Sequence, residues 1–151
     1  MSFDTIDTTL LRTLMRRGRS SWAELAELLR LSAPAAADRV HKLEERGVIR
    51  GYAALVDPVV AGCPLTAFIA VNLTNHQHRA KFLKSIAAMP EILECHHVAG
   101  EHDFLLKVRC TGTQDLERLL TTELKGRAGA GRTHTTIVLA TPKESVEVPI
   151  I

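Results

Sequence analysis

Two short amphipathic segments within residues 20–51, separated by only two residues, constrain the fold of this chain more than any other feature. Ser21 and Glu24 form an S-x-x-E capping box, which satisfies two amide donors at the start of a helix. Ser32 is the expected N-cap of the next helix, and Pro34 lies in its first turn, where the missing N–H costs little. The connection between the two helices is therefore predicted to be a sharp turn.

The second segment carries a regular apolar stripe. Ala36, Val40 and Leu43 lie at i, i+4 and i+7, and Gly47 is expected to follow the end of this helix. Residues 48–57 then look extended. Two helices with this spacing, followed by an extended segment, are typical of a helix-turn-helix that binds DNA. The alternative interpretation is a pair of packed helices in an all-α core.

Composition narrows the class of protein. The chain has 151 residues, 46% of them hydrophobic, so it can form one domain or two small ones. It contains no apolar run near the roughly 20 residues of a membrane span and no signal-peptide segment, so we expect a cytoplasmic protein with no membrane association. Its three cysteines, Cys63, Cys95 and Cys110, are widely spaced and lack a C-x-x-C pair, which favours reduced thiols over disulfides or a zinc site.

Motifs for catalysis and metal binding are absent from the sequence. It has no phosphate-binding loop, no G-x-S-x-G and no H-E-x-x-H, so we expect no enzymatic activity. His96 and His97 are neighbours in a predicted strand and should point to opposite faces, so we predict no metal site and no cofactor. A pH-sensitive interface that uses His97 or His102 is an alternative role, because imidazole titrates near neutrality.

Charge adds one local feature. The net charge of +2 does not by itself indicate nucleic-acid binding. Four arginines nevertheless cluster near the end of the first predicted helix: Arg12, Arg16, Arg17 and Arg19. They can contact phosphate, or they can interact with the C-terminal end of the helix dipole, and the sequence leaves both roles open.

The chain is predicted to comprise three parts: a three-helix domain at residues 1–47, a strand and hinge at 48–64, and a second domain at 65–151. The first helix is expected to run from an Asp4 cap to about Arg17, with Gly18 after it. Asp57-Pro58 is a turn signal and marks the hinge.

The second domain alternates between strand and helix periodicity. The pattern predicts strands at 66–73, 92–99, 103–110 and 133–141 and helices at 77–89 and 113–124. The order β-α-β-β-α-β is the ferredoxin-like arrangement, which makes the whole chain α+β. Because the helices cover only one face of such a sheet, we expect the other face to be buried against a second copy in a homodimer.

With both parts in place, the chain resembles the Lrp/AsnC family, the leucine-responsive and asparagine-responsive transcription regulators. The stretches that carry the resemblance include Asp4-Thr-Ile-Asp7, Leu31-Ser32, Arg39-Val40-His41-Lys42-Leu43-Glu44, Gly47-Val48-Ile49-Arg50-Gly51-Tyr52, Val56-Asp57-Pro58, Gly100-Glu-His-Asp103 and Thr133-His-Thr135. The resemblance implies a winged-helix-like DNA-binding domain and a ferredoxin-like domain that dimerises. It also implies assembly to larger oligomers such as octamers and an amino-acid effector bound between subunits.

The candidate DNA-binding residues lie off the core stripe of the second helix of the pair: Ser32, Pro34, Ala35, Asp38, Arg39, His41 and Lys42. Arg39 and His41 can donate to base edges, and Lys42 suits phosphate. The alternative for Arg39 is an ion pair with Asp38, Glu44 or Glu45. Because three consecutive alanines at 35–37 cannot hydrogen-bond to bases through their side chains, we expect DNA bending and shape to carry more of the specificity.

The resemblance places the effector site at the turn between two strands. Its candidate residues are Val98, Ala99, Gly100, His102, Asp103 and Thr135. Gly100 would let backbone amides approach a carboxylate, and Asp103 would hold an ammonium group. The alternative is that Gly100 and Asp103 only shape a β-turn.

These observations predict a sequence-specific DNA-binding regulator of transcription that senses an amino acid or a related metabolite. Its partners would be double-stranded DNA, a second copy of itself and the small molecule. One alternative is an architectural, chromatin-like DNA-binding protein with little effector response. Another is a metabolite-sensing partner of an enzyme.

Overall fold

The computed structural model describes residues 3–151, except for the side chain of His76, so the first two residues of the predicted 1–47 domain lie outside it. The described chain divides into two compact units. The first unit holds the chain up to Leu55 together with Lys143–Ile151, and the second unit holds Val56–Pro142. The boundary falls inside the predicted linker, but the tail that the sequence assigned to the second domain belongs to the first unit.

Three helices form the first unit: α1 (Thr5–Arg16), α2 (Trp22–Leu29) and α3 (Ala33–Glu45). Each begins at the predicted cap, since the side chains of Asp4, Ser21 and Ser32 all accept a hydrogen bond from a backbone N–H three residues ahead. Within α3 the predicted stripe is confirmed, because Ala36, Val40 and Leu43 are buried. In α2, Leu25, Ala26 and Leu29 are buried, whereas Trp22 and Leu28 are 44% and 47% exposed.

The strand predicted at 48–57 is not formed. Residues 46–64, all of which the structure describes, contain no strand. A strand needs a neighbouring strand to complete its backbone hydrogen bonds, and the single chain brings none to this segment. The side chains of residues 50–57 are consequently exposed, among them Tyr52, Leu55 and Val56.

The tail completes the core of the first unit. Ile150 packs against the buried cluster that contains Leu10, Leu25 and Val40. The guanidinium Nε of Arg16 lies 3.0 Å from the carboxylate of Glu147.

The second unit has the predicted β-α-β-β-α-β order. Its elements are β1 (Leu65–Leu73), a 3₁₀ turn (His76–His78), α4 (Arg79–Ile86), β2 (Ile92–His97), β3 (Phe104–Cys110), α5 (Thr113–Arg118) with a π-helical continuation (Leu119–Arg127), and β4 (Ala130–Ile137). The strands form one antiparallel sheet in the order β2-β3-β1-β4, as the ferredoxin-like prediction requires. The last strand begins three residues earlier than predicted.

Strand register defines two faces of the sheet. Ile69 lies opposite both Leu106 and Thr135, on the face that packs against the helices around Phe82 and Leu119. Phe68 lies opposite Lys107 and Thr136, on the other face, which we call the outer face. Successive side chains alternate between these faces.

Candidate DNA-binding and effector sites

The start of α3 is fixed by local hydrogen bonds. The N–H of Ala35 donates to the hydroxyl of Ser32 at 3.3 Å. At the start of α2, the N–H of Ser21 donates to the Glu24 carboxylate at 2.6 Å, and this bond lowers the pKa of Glu24. Both helices of the pair are therefore held by caps that the sequence specifies.

The face of α3 opposite its core stripe is open. Pro34, Asp38, His41 and Lys42 are exposed, and Ala35 is half-buried. An exposed helical face with a fixed N-terminus is the element that a helix-turn-helix inserts in the major groove. Few side chains on this face can donate a hydrogen bond, as the alanine run predicted.

Arg39 forms an ion pair, as its alternative role predicted, but with partners other than those proposed. Its guanidinium Nη1 lies 2.8 Å from the carboxylate of Asp4 and 2.6 Å from that of Asp7, so it ties α3 to the start of α1. Nη1 is thus engaged within the first unit, and the partners are Asp4 and Asp7 where Asp38, Glu44 or Glu45 were proposed. The pKa of Asp4 is lowered, first by the backbone N–H of Asp7 and then by Arg39. The only sequence signal was the Asp4-x-x-Asp7 spacing, which places two carboxylates at one helix start.

Lys42 is also engaged. Its Nζ lies 2.7 Å from the Asp38 carboxylate, one turn earlier on α3, and both side chains are exposed. Such exposed i,i+4 pairs are weak, so Lys42 can exchange this partner for a phosphate at little cost.

Sequence reasoning missed a chain of contacts along one side of α3. The Trp22 ring centroid lies 5.8 Å from that of His41, whose Nδ1 is 3.1 Å from a Glu44 oxygen. The Tyr52 hydroxyl donates to the other Glu44 oxygen at 2.9 Å. Burial and the neighbouring Glu44 carboxylate raise the pKa of Tyr52 to about 12. These contacts link the start of α2, α3 and the segment after α3.

The predicted arginine cluster divides in the structure. Arg16 is paired with Glu147, whereas Arg12, Arg17 and Arg19 are exposed at the end of α1 and in the turn after it.

In the second unit, Asp103 fixes the turn between β2 and β3. Its backbone N–H donates to the Val71 carbonyl at 3.0 Å, and its Oδ2 accepts from the Leu73 N–H at 2.8 Å. The register of β1 against β4 shifts between these same two residues. Asp103 thus has a structural role, while Gly100, with φ of 152°, takes a backbone conformation that suits glycine.

Polar side chains surround this turn. The Asn72 side chain donates to the Glu101 carbonyl at 2.8 Å, and its Oδ1 lies 2.9 Å from Nδ1 of the half-buried His102. Arg132 lies 2.9 Å from the Glu101 carboxylate. Val98 is joined to the turn by a bond from its N–H to the Asp103 carbonyl. Asn72 and Arg132 are neighbours of the site that the sequence did not identify.

The other two candidates lie differently. Ala99 is exposed within the turn. Thr135 is half-buried on the helix-covered face. It lies opposite Ile69, which is two residues before Val71 on β1. No hydrogen bond among the described residues joins Thr135 to the turn.

Within residues 3–151 the structure holds no group of three or more His, Cys, Asp or Glu placed to hold a metal ion. His97 packs beside Phe104 at 5.4 Å on the helix-covered side, whereas His96 pairs with Glu94, so the two rings lie on opposite faces as predicted. None of the helices described is long and apolar enough to span a membrane.

Comparison with known proteins assigns both units. Residues 3–44 match the AsnC-type helix-turn-helix domain, and residues 66–148 match the Lrp/AsnC ligand binding domain. The HTH-type transcriptional regulator FL11 of Pyrococcus horikoshii is 32% identical over 148 residues, which cover 97% of this chain and 96% of that protein.

Solved structures agree with this assignment. A transcriptional regulator of Neisseria meningitidis, crystallised as a complex with L-Met, matches with a TM-score of 0.93 and 30% identity over 98% of this chain and 97% of the other. The feast or famine regulatory protein of M. tuberculosis, complexed with L-methionine, matches with a TM-score of 0.89 and 34% identity over 96% and 97% of the two chains. This chain belongs to the Lrp/AsnC family of transcriptional regulators, with a helix-turn-helix DNA-binding domain and an amino-acid-binding domain.

Proposed function

We propose that the exposed face of α3 binds double-stranded DNA and that the β2–β3 turn binds an amino acid that alters this binding. The exposed face of α3, with its capped N-terminus, supports DNA binding. The polar turn around Asp103, together with the L-methionine in the two related structures, supports amino-acid binding. The DNA-contacting residues would be Ser32, Pro34, Ala35, Asp38, His41 and Lys42, with Arg39 acting through the placement of α3.

The turn has the chemistry to recognise an amino acid. A carboxylate can accept four hydrogen bonds, so Asp103 can hold an ammonium group while it keeps its bond to the Leu73 N–H. Backbone amides near Gly100 can face the ligand carboxylate. Val98, Ala99 and His102 would contact the ligand side chain, and Thr135 would lie at its edge.

The test is a gel shift on DNA upstream of the protein's own gene, with and without each amino acid. We expect one amino acid to change the affinity or the footprint, because a ligand can shift DNA binding only through differential affinity for two states. Asp103→Asn keeps an oxygen for the Leu73 N–H but loses the charge, so it should abolish the response without unfolding the second unit. The control is Glu101→Gln, which removes a neighbouring charge. An amino-acid response unchanged in Asp103→Asn would refute the site.

We also propose that the outer face of the sheet is covered by a second copy of the chain. Phe68 is 37% exposed there, beside the buried Ala70. Leu83, also 37% exposed, lies on α4 and gives a matched control. Phe68→Asp should lower the mass in analytical ultracentrifugation, whereas Leu83→Asp should not. A larger assembly, such as an octamer, would appear in the same measurement.

An architectural role with little effector response is the second candidate. The engagement of Arg39 with Asp4 and Asp7 favours it, because α3 then offers few donors to base edges. Binding that ignores every amino acid and varies little between DNA sequences would select this role.

A further inference from the structure

Arg30 takes a backbone conformation that glycine ordinarily supplies. Its φ and ψ are 55° and 45°, and it is the only non-glycine residue with a positive φ in the described part of the chain. Gly47 takes the same left-handed conformation after α3, with φ of 68°. The chain thus ends one helix of the pair with the expected glycine and the other with a strained arginine.

The conformation itself is imposed by packing. The Leu31 N–H donates to the Ala26 carbonyl at 2.9 Å, which is the bond that closes a helix through a left-handed residue. Leu31 then packs against the core of the first unit. The backbone at position 30 must therefore turn this way, whichever side chain it carries.

The Arg30 side chain is exposed and has no polar partner in the described range. No residue there forms a hydrogen bond or ion pair with it. Backbone strain that no contact within the protein offsets indicates a contact with another molecule.

The position of Arg30 indicates what that contact is. It lies two residues before Ser32, where α3 begins, and the first turn of α3 contains only Ala33, Pro34 and Ala35. Further along α3, Arg39 is bound to α1 and Lys42 is paired with Asp38. Arg30 is consequently the unpaired cation nearest in sequence to the start of α3.

We infer that Arg30 contacts a DNA phosphate and sets the position of α3 on the duplex, at a cost in stability. A phosphate contact carries no sequence information but fixes register, which suits a helix with few donors to base edges. This inference rests on the proposed DNA binding by α3.

Three variants separate charge from strain. Arg30→Gln keeps the strain and loses the charge, Arg30→Lys keeps both, and Arg30→Gly loses both. Lys125→Gln, at an exposed site in the second unit, is the matched control for loss of one positive charge. Binding is measured by fluorescence anisotropy on the upstream DNA and on a scrambled duplex of equal length, between about 50 and 200 mM salt.

We expect Arg30→Gln and Arg30→Gly to weaken binding to both duplexes by roughly fivefold near 0.15 M salt. The slope of log affinity against log salt concentration should become shallower by about one for each helix-turn-helix that binds. Arg30→Lys and Lys125→Gln should bind like the unmodified protein. Arg30→Gly alone should raise Tm, by roughly 2–4 °C.

Equal DNA binding by Arg30→Gln and the unmodified protein would overturn this inference alone. A Tm that does not rise in Arg30→Gly would also overturn it, because the strain would then have no cost. If the unmodified protein binds neither duplex, the proposed function fails and this inference fails with it.

Discussion

The two units bury cores of different size. In the second unit, fourteen buried residues from the sheet and its helices form one cluster. In the first unit, eight buried residues from three helices form the other, and Val48, Ile49 and Ile150 pack around it from outside the helices. The smaller core thus recruits apolar groups from the far end of the chain.

The difference follows from size. A unit of three short helices buries a small fraction of its surface and is marginally stable alone. The tail adds apolar area beside the helices, and together they line a groove of about 510 Å³ whose walls include Leu14, Met15, Tyr52, Val146 and Ile150. The core of the second unit, by contrast, is built entirely from residues within 56–142.

Truncating one buried leucine should have the largest effect on stability, and its consequences should differ between the two units. Leu43 and Leu106 are 1% and 0% exposed, so Leu43→Ala and Leu106→Ala each cost about 2–5 kcal/mol of unfolding free energy. In the smaller unit this approaches the whole stability. Hydrogen exchange should therefore show α1–α3 unprotected in Leu43→Ala while β1 and β3 stay protected.

Leu106→Ala is the control for that comparison. It should reduce protection in the sheet without unfolding it. Equal loss of protection in both units with either variant would mean that the chain unfolds as one body, which would contradict the separation of the cores.

Truncating the half-buried Ile150 side chain of the tail should have an intermediate effect on the stability of the first unit. Ile150 is half-buried against the first core, so Ile150→Ala should cost about 1 kcal/mol of the stability of that unit. Ile151 is fully exposed, and Ile151→Ala should change nothing. Denaturant unfolding followed by Trp22 fluorescence reports on this unit, and identical midpoints for the two variants would refute the role of the tail.

Features fixed by neighbouring residues were predictable from the sequence. The caps at Asp4, Ser21 and Ser32, the α3 stripe and the strand order all depend on local spacing or on rules that connect successive elements. The candidate turn around Gly100 and Asp103 was located by the resemblance, and its glycine does adopt the conformation that glycine favours.

Features that depend on packing between distant segments were not predictable. The partners of Arg39 lie 35 and 32 residues away in sequence, and the pairing depends on how α1 crosses α3. The tail likewise reaches a core more than 100 residues earlier in the chain. The strand predicted at 48–57 was wrong for a related reason, since a sequence that favours an extended backbone does not supply the second strand that pairing requires.

Low pH should produce the smallest difference in stability between the two units, because it acts on one carboxylate in each. The backbone N–H of Asp7 and the Arg39 guanidinium lower the pKa of Asp4 in the first unit. The Thr111 N–H and Arg118 lower the pKa of Asp115 in the second. A lowered folded-state pKa means stability that is present above the unfolded value of 3.8 and is lost as the pH falls through the folded value.

Asp4→Asn should therefore make the stability of the first unit fall less steeply with pH below about pH 4. Asparagine still caps the helix but does not titrate. The change should be smaller than that of Ile150→Ala, since Asp4 is exposed and its ion pair is screened. Asp115→Asn should flatten the acid dependence of the second unit and leave Trp22 fluorescence unchanged. Since Trp22 reports the first unit, an acid transition of its fluorescence that Asp4→Asn leaves in place would show that other carboxylates carry the acid sensitivity of the smaller core.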